Sequence, residues 1–457
     1  MADTSNPLEL LKSRSYLFVL VLAAAIGVPI SALAYFFLEL VSYTQHKVYT
    51  DLPHALGFHT VPLWWPAPLL AVSGVLVALA IKYLPGTGGH SPADGFQVGA
   101  GGPVPLELPG IVLAALATLT LGVVLGPEAP LIAIGGGLGV CAVQLAKRDA
   151  PPMFSTVLAA AGSFAAISTL FGSPLLGAFL LMEASGLGGP LMSLVLVPGL
   201  LSAGIGYLIF VGLNSWTGFG TFTLAIPHLP HFPSPDIAEF GWALVIGLAA
   251  VVLGGAVRWF ALFARTHIEK RRVLLTPVAG LAVAGIAILF EAGTGKGSTV
   301  VLFSGQTALG PVVQHAAGWS LAALVLLVVC KAIAYSVSLS SFRGGPIFPA
   351  LFIGAVGGLA LSHLPGLPMV PAVAMGIGAM CVVMLKLPLT SVLLAALLTD
   401  SAGGASIPLV IVAVTVAYVA TAYFSPVPGD GKAASPTPPD PAAPATAPPP
   451  VSDPVSP

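Results

Sequence analysis

Gly126-Pro127-Glu128-Ala129-Pro130 places one carboxylate on a Gly/Pro-bracketed break inside a stretch otherwise apolar enough to sit in a bilayer. A second break of the same design follows at Gly345-Pro346-Ile347-Phe348-Pro349. The two align as G-P-x-x-P-x-x-x-x-G-x-x-x-G, through Gly135 and Gly139 in the first and Gly354 and Gly358 in the second. An ionisable side chain at membrane depth is costly and marks a functional position by default. Interrupted helices at corresponding places in two halves of a chain point to a transport site. The pairing therefore predicts a protein that moves an anion.

The rest of the chain suits a membrane. It is 56% hydrophobic and only 7% charged, with a mean hydropathy of +0.99, where a soluble domain would carry about 25% charge. Apolar runs recur from 17–38 to 409–424. Several reach the roughly 20 residues that cross a bilayer, and the shorter ones fit re-entrant or half-helices. The first run is too long for a signal h-region and lies behind Lys12 and Arg14, so no cleavable signal peptide is expected. Cys141, Cys330 and Cys381 stand in or beside apolar segments without metal-ligand spacing and read as small buried hydrophobes. No metal or other cofactor is expected.

A net charge of −1 gives no support for nucleic-acid binding. Lys12/Arg14, Lys82, Lys147/Arg148 and Arg265/Lys270/Arg271/Arg272 form clusters that the positive-inside rule assigns to the cytoplasm. The stretch 213–235 carries neither Lys nor Arg, which suits the outer face. Ser173-Pro174-Leu175 and Leu387-Pro388-Leu389 open a second matched pair of half-helices. Pro in a first helical turn removes no needed N–H, so all four proline positions read as helix starts.

The predicted fold is thus an all-α polytopic membrane protein of two inverted-topology repeats with tilted, partly re-entrant helices. Its segments are an N-terminal arm (1–15), a first repeat (16–212), an external linker (213–235), a second repeat (236–425) and a Pro-rich tail (426–457). Twelve prolines with Ala, Ser, Thr and Asp make that tail a disordered, PPII-like segment. Inverted halves would aim helix N-termini at one midplane site, each carrying about half a positive charge and unpaired N–H groups. Such ends bind an anion without dedicated Lys or Arg and still let it leave.

In this order and spacing the motifs resemble the CLC family of chloride channels and chloride/proton antiporters, over essentially the whole membrane part. Gly126–Pro130 is similar to the family's G-(K/R)-E-G-P and Gly345–Pro349 to its G-x-F-x-P. Gly88-Gly89-His90-Ser91-Pro92 stands where the family has G-S-G-I-P, and Phe171-Gly172-Ser173-Pro174-Leu175 resembles its N-A-P-L segment. The resemblance implies a homodimer in the cell membrane with one pathway per subunit. It implies chloride or another small anion, membrane lipid and, for the antiporters, protons as partners.

It also implies that Glu128 is the gate: ionised, its carboxylate occupies an anion site; protonated, it leaves. Gly89, Ser91, Glu128, Ala129, Ile347 and Phe348 become the anion-binding positions. Four departures stand out. Pro127 and Pro346 fall where the family donates N–H groups, and proline has none. The family's chloride-binding serine falls on Gly89, leaving Thr87 or Ser91 to supply a hydroxyl, while His90 adds an imidazole more often found solvated. The internal proton glutamate of the antiporters falls on Ala184, with Glu183 one residue earlier as a possible proton path. The gating tyrosine of the family's last helix has no counterpart, since Tyr418 and Tyr423 lie in the last span and Tyr423 suits an interfacial belt.

Two other functions compete with this one. A secondary transporter of an organic anion on an unrelated inverted-repeat fold would recruit an intramembrane arginine, for which Arg343 is the candidate. An intramembrane enzyme would need paired aspartates, H-E-x-x-H or a Ser/His pair at membrane depth. The sequence has none of these, so catalysis is not expected.

Overall fold

The computed structural model describes residues 13–96, 102–146, 152–186, 189–218 and 225–424. The arm up to residue 12, the pair Lys147/Arg148 and the tail 426–457 lie outside them. The first half contains α1 (Arg14–His46, prolonged by a π turn and one further turn to Ala55), α2 (Pro66–Tyr83), α3 (Leu108–Thr120), α4 (Glu128–Ala146), α5 (Pro152–Phe171), α6 (Pro174–Ser185) and α7 (Gly189–Thr217). The second contains α8 (Ile237–Ile268), α9 (Arg272–Thr294), α10 (Gln306–Gln314), α11 (Leu321–Ser341), α12 (Ile347–Leu361), α13 (Met369–Leu385), α14 (Pro388–Leu398) and α15 (Ile407–Phe424). Helix α7 thus continues to Thr217, inside the stretch read from sequence as linker.

Among the described residues, eight helical segments are long and apolar enough to cross a membrane. Helices α3, α6, α12, α13 and α14 are shorter, between 11 and 17 residues. They fall short of the roughly 20 residues a span requires and form the half-helices expected from the apolar runs.

The repeat is visible in packing as well as in order. On α4, a Cβ at Gly135 would stand 2.4 Å from the Gly162 carbonyl oxygen, and one at Gly139 would stand 2.1 Å from that of Leu158, both on α5. On α12, a Cβ at Gly354 would stand 2.2 Å from the Gly376 carbonyl oxygen of α13, and one at Gly358 would stand 2.0 Å from that of Ala372. The shared G-x-x-x-G is therefore the same close helix contact made twice, with glycine letting backbones touch where lipid offers no hydrophobic drive. The halves also clasp each other directly. Gly74 of α2 lies against Thr276 and Pro277 of α9, and Gly280 of α9 lies against Leu70 of α2.

The two breaks meet at the centre of this arrangement. Gly126 and Gly345 exchange backbone hydrogen bonds, N–H to O at 2.8 and 2.7 Å, as an isolated antiparallel bridge. Equivalent points of the two halves run in opposite directions there, as inverted repeats require.

Candidate anion site

Four prolines decide how many amides the meeting point offers. Pro346 caps α12, and Pro127 stands in the same place before α4, its carbonyl accepting the Leu131 N–H at 3.1 Å. Both prolines were expected inside the first helical turn; each sits one residue earlier, on the cap. Pro174 and Pro388 do open their helices. Pro130 and Pro349 then remove the third amide of α4 and α12. Each helix end is left with two donors, at Glu128 and Ala129 and at Ile347 and Phe348, where an unmodified end has four.

Glu128, the first residue of α4, is fully buried. Its side chain crosses to the other half, where Oε1 accepts the Ile347 N–H at the start of α12. Oε2 is buried without a hydrogen-bond partner. Two glycines make room for the carboxyl group: a Cβ at Gly345 would lie 2.0 Å from Glu128 Cδ, and one at Gly126 would lie 2.0 Å from Oε2. Tyr335 of α11, also fully buried, donates its hydroxyl to the Pro346 carbonyl at 2.8 Å and so fixes the cap of α12.

On one side of this junction opens a cavity of about 510 Å³. Gly89, Ser91, Ala129, Pro346 and Arg343 are in its wall, and His90, itself exposed, stands at it too. On the other side is a pocket of only about 20 Å³ beside Phe348, Phe352 and Leu398. Phe348 packs against Phe171, ring centroids 5.8 Å apart. The predicted anion positions are therefore split. Gly89, Ser91 and Ala129 face the large cavity, Phe348 faces the small pocket, and Glu128 with Ile347 is buried between.

Glu183 has a different setting. Its carboxylate accepts from Leu389 N (2.9 Å), Thr390 N (2.8 Å) and Thr390 Oγ1 (2.6 Å), closing the first turn of α14. That ties the last turn of α6 to the start of α14, its counterpart in the other half. A carboxylate there suits both the free amides and the positive end of the helix dipole.

Two features, Lys331 and Tyr335, were not anticipated. Lys331, within the apolar run 321–337, is fully buried and donates to the carbonyls of Val300 (3.0 Å), Leu302 (3.0 Å) and Phe303 (3.3 Å). A lone charge in such a run is the signal that could have marked it. Tyr335 offered a weaker one, since a buried tyrosine hydroxyl must find a partner. Arg343, the intramembrane arginine named for the organic-anion reading, is only 6% exposed and stands in the cavity wall. Near the mouth, Arg265 pairs with Asp94 and Glu269, and Arg272 with Glu269. The hydrogen bond from Arg265 holds the Glu269 carboxyl below its ordinary range.

Two inverted repeats of broken helices meeting over a buried carboxylate define a multi-pass integral membrane protein of the transporter and channel type. Residues 73–422 match the family model described as voltage gated chloride channel. The chain belongs to that family, the CLC proteins. YfeO of Escherichia coli, a protein provisionally named for ion transport, is 30% identical over 365 residues, covering 78% of this chain and 82% of YfeO. Among solved structures, a slow cyanobacterial Cl⁻/H⁺ antiporter superposes with a TM-score of 0.73 at 20% identity, over 89% of this chain and 94% of that one. A CLC-type fluoride/proton antiporter gives 0.67 at 21%, over 90% and 98%.

Proposed function

We propose that the chain carries a small anion, chloride in the first instance, across the membrane through the junction of its two breaks, with Glu128 as the gate. The observation that carries this reading is the Glu128 carboxylate on the Ile347 amide. A side-chain anion there occupies the N-terminus of a helix from the opposite half, the place a free anion would take. Ionised, it closes the path between cavity and pocket; protonated, it loses its hold on the amide and the path opens. Beside the large cavity, Arg265 pairs with Asp94 and Arg272 with Glu269; both arginines belong to the cluster that the positive-inside rule assigns to the cytoplasm. Family membership supports transport and a homodimer with one pathway per subunit.

Position 184 is alanine, which cannot titrate, and Glu183 is engaged by three donors of α14. We therefore expect proton coupling to be weak or independent of Glu183. Paired chloride and proton flux in proteoliposomes under a chloride gradient tests both statements. Glu183→Gln should keep the wild-type flux ratio and lose about 0.5–2 kcal/mol of stability, as loss of a good helix cap does. Strong proton pumping in the wild type that disappears in Glu183→Gln would make Glu183 the proton relay instead. Absence of any anion flux from well-folded wild type would overturn the transport reading itself.

A further inference from the structure

We infer that Arg343 forms a second anion site on the wall of the large cavity, built for small planar oxyanions such as nitrate, bicarbonate or a short carboxylate. The inference deepens the transport reading and rests on it only for the direction of traffic.

Among the described residues, two buried cations stand without a carboxylate partner, and they differ in a telling way. Lys331 has each of its three N–H groups directed at a backbone carbonyl, lies 4.3 Å from the Phe352 ring centroid, and lines neither cavity. It is fully satisfied. Arg343 donates Nε to the Thr87 carbonyl at 3.2 Å and Nη1 to the Phe342 carbonyl at 3.3 Å. Nη2 donates to no protein atom among the described residues. A guanidinium carries five N–H donors in a rigid fork, so its end-on face, the second Nη1–H with Nη2, is left for a ligand. A buried charge is otherwise paired, and this one fronts a cavity.

The surrounding backbone is shaped around that side chain. Gly86, Thr87, Gly88 and Gly89 all have positive φ, with Thr87 at 49° although it is not glycine. This coil turns the Thr87 carbonyl onto Nε, and a Cβ at Gly88 would lie 3.4 Å from Arg343 Cγ. Ser91 shares the cavity wall, and neither its amide nor that of His90 donates to another backbone group among the described residues.

No carboxylate forms an ion pair with Arg343 among the described residues. Arg265 and Arg272 at the mouth are paired with Asp94 and Glu269, two against two. Glu107, also in the wall, keeps its negative charge; it receives the Val104 N–H at 3.2 Å and makes no ion pair with Arg343. Arg343 supplies positive charge beside Pro346, where the chain has forfeited an amide.

Shape then sets the preference. Two parallel N–H groups match two oxygens of one planar anion, while a spherical halide meets them as a point charge. At about 510 Å³ the cavity falls within the range of small-molecule sites.

Calorimetric titration of the purified protein with nitrate, formate, bicarbonate and chloride tests this without any flux measurement. Each oxyanion should bind more tightly than chloride, and formate against nitrate separates carboxylate from inorganic ligand. Arg343→Lys, which keeps the charge and loses the fork, should weaken oxyanion binding about tenfold, the worth of one charged hydrogen bond, and leave chloride nearly unchanged. Arg343→Met should abolish the oxyanion preference; if it does not fold, Arg343→Lys carries the test. Equal oxyanion affinities in wild type and Arg343→Lys, or chloride binding most tightly, would overturn the site. Tight oxyanion binding by a protein that moves no anion would sustain the site and overturn the transport reading alone.

Discussion

Glu128→Gln should raise basal anion flux in proteoliposomes by about ten- to a hundredfold and flatten its pH dependence. The neutral amide has nearly the shape of the protonated side chain and cannot hold the Ile347 N–H as a carboxylate does. A hydrogen bond to a charged group contributes about 1.5–3 kcal/mol, and each 1.4 kcal/mol is about tenfold in occupancy. In the wild type, flux should rise as pH falls, because protonation removes the charge that closes the path. The variant has no proton to take up, so its flux should be high and level across the same range. A folded Glu128→Gln protein with wild-type flux and wild-type pH dependence would remove Glu128 from the gate.

Gly345→Ala should reproduce much of that effect without touching the glutamate. Its added methyl would stand 2.0 Å from Glu128 Cδ and 2.2 Å from Cγ, distances no real contact tolerates. Position 345 is not among the positive-φ glycines, so alanine fits the backbone and the cost is steric. The carboxyl group, being the movable partner, must leave the Ile347 amide, and flux should rise with a weakened pH response. Combined with Glu128→Gln the change should add little, since both remove one interaction; neighbouring residues of this kind couple by about 0.5–3 kcal/mol. Gly357→Ala provides the control, with nothing within 4 Å of its would-be Cβ and wild-type flux expected. A folded Gly345→Ala protein indistinguishable from wild type would mean the carboxyl group does not rest between Gly126 and Gly345 in the membrane.

Much of this was legible in the sequence because it is local. The two breaks, the matched G-x-x-x-G contacts and the half-helices after Pro174 and Pro388 each follow from a few neighbouring residues. The one-residue error at Pro127 and Pro346 has a simple source. Neither the cap nor the first helical position needs a proline N–H, so residue type alone does not separate them. The end of α7 at Thr217 was missed for a similar reason: polar residues at a helix end read as linker.

What stayed hidden depends on contacts between distant parts of the chain. Glu183 finds its amides on α14, and Arg343 finds the Thr87 carbonyl in the other half. The bridge between Gly126 and Gly345 was implied only by the symmetry of their motifs. Lys331 lay in plain view within an apolar run and needed only the question of what pairs with it.

Bromide binding to Glu128→Gln crystals tests the central claim most directly. With the carboxylate removed, anomalous density should appear within hydrogen-bonding distance of the Ile347 and Phe348 amides, and wild-type crystals at neutral pH should lack it there. Density beside Arg343 alone, or none between the two breaks at saturating bromide, would contradict an anion path gated by Glu128.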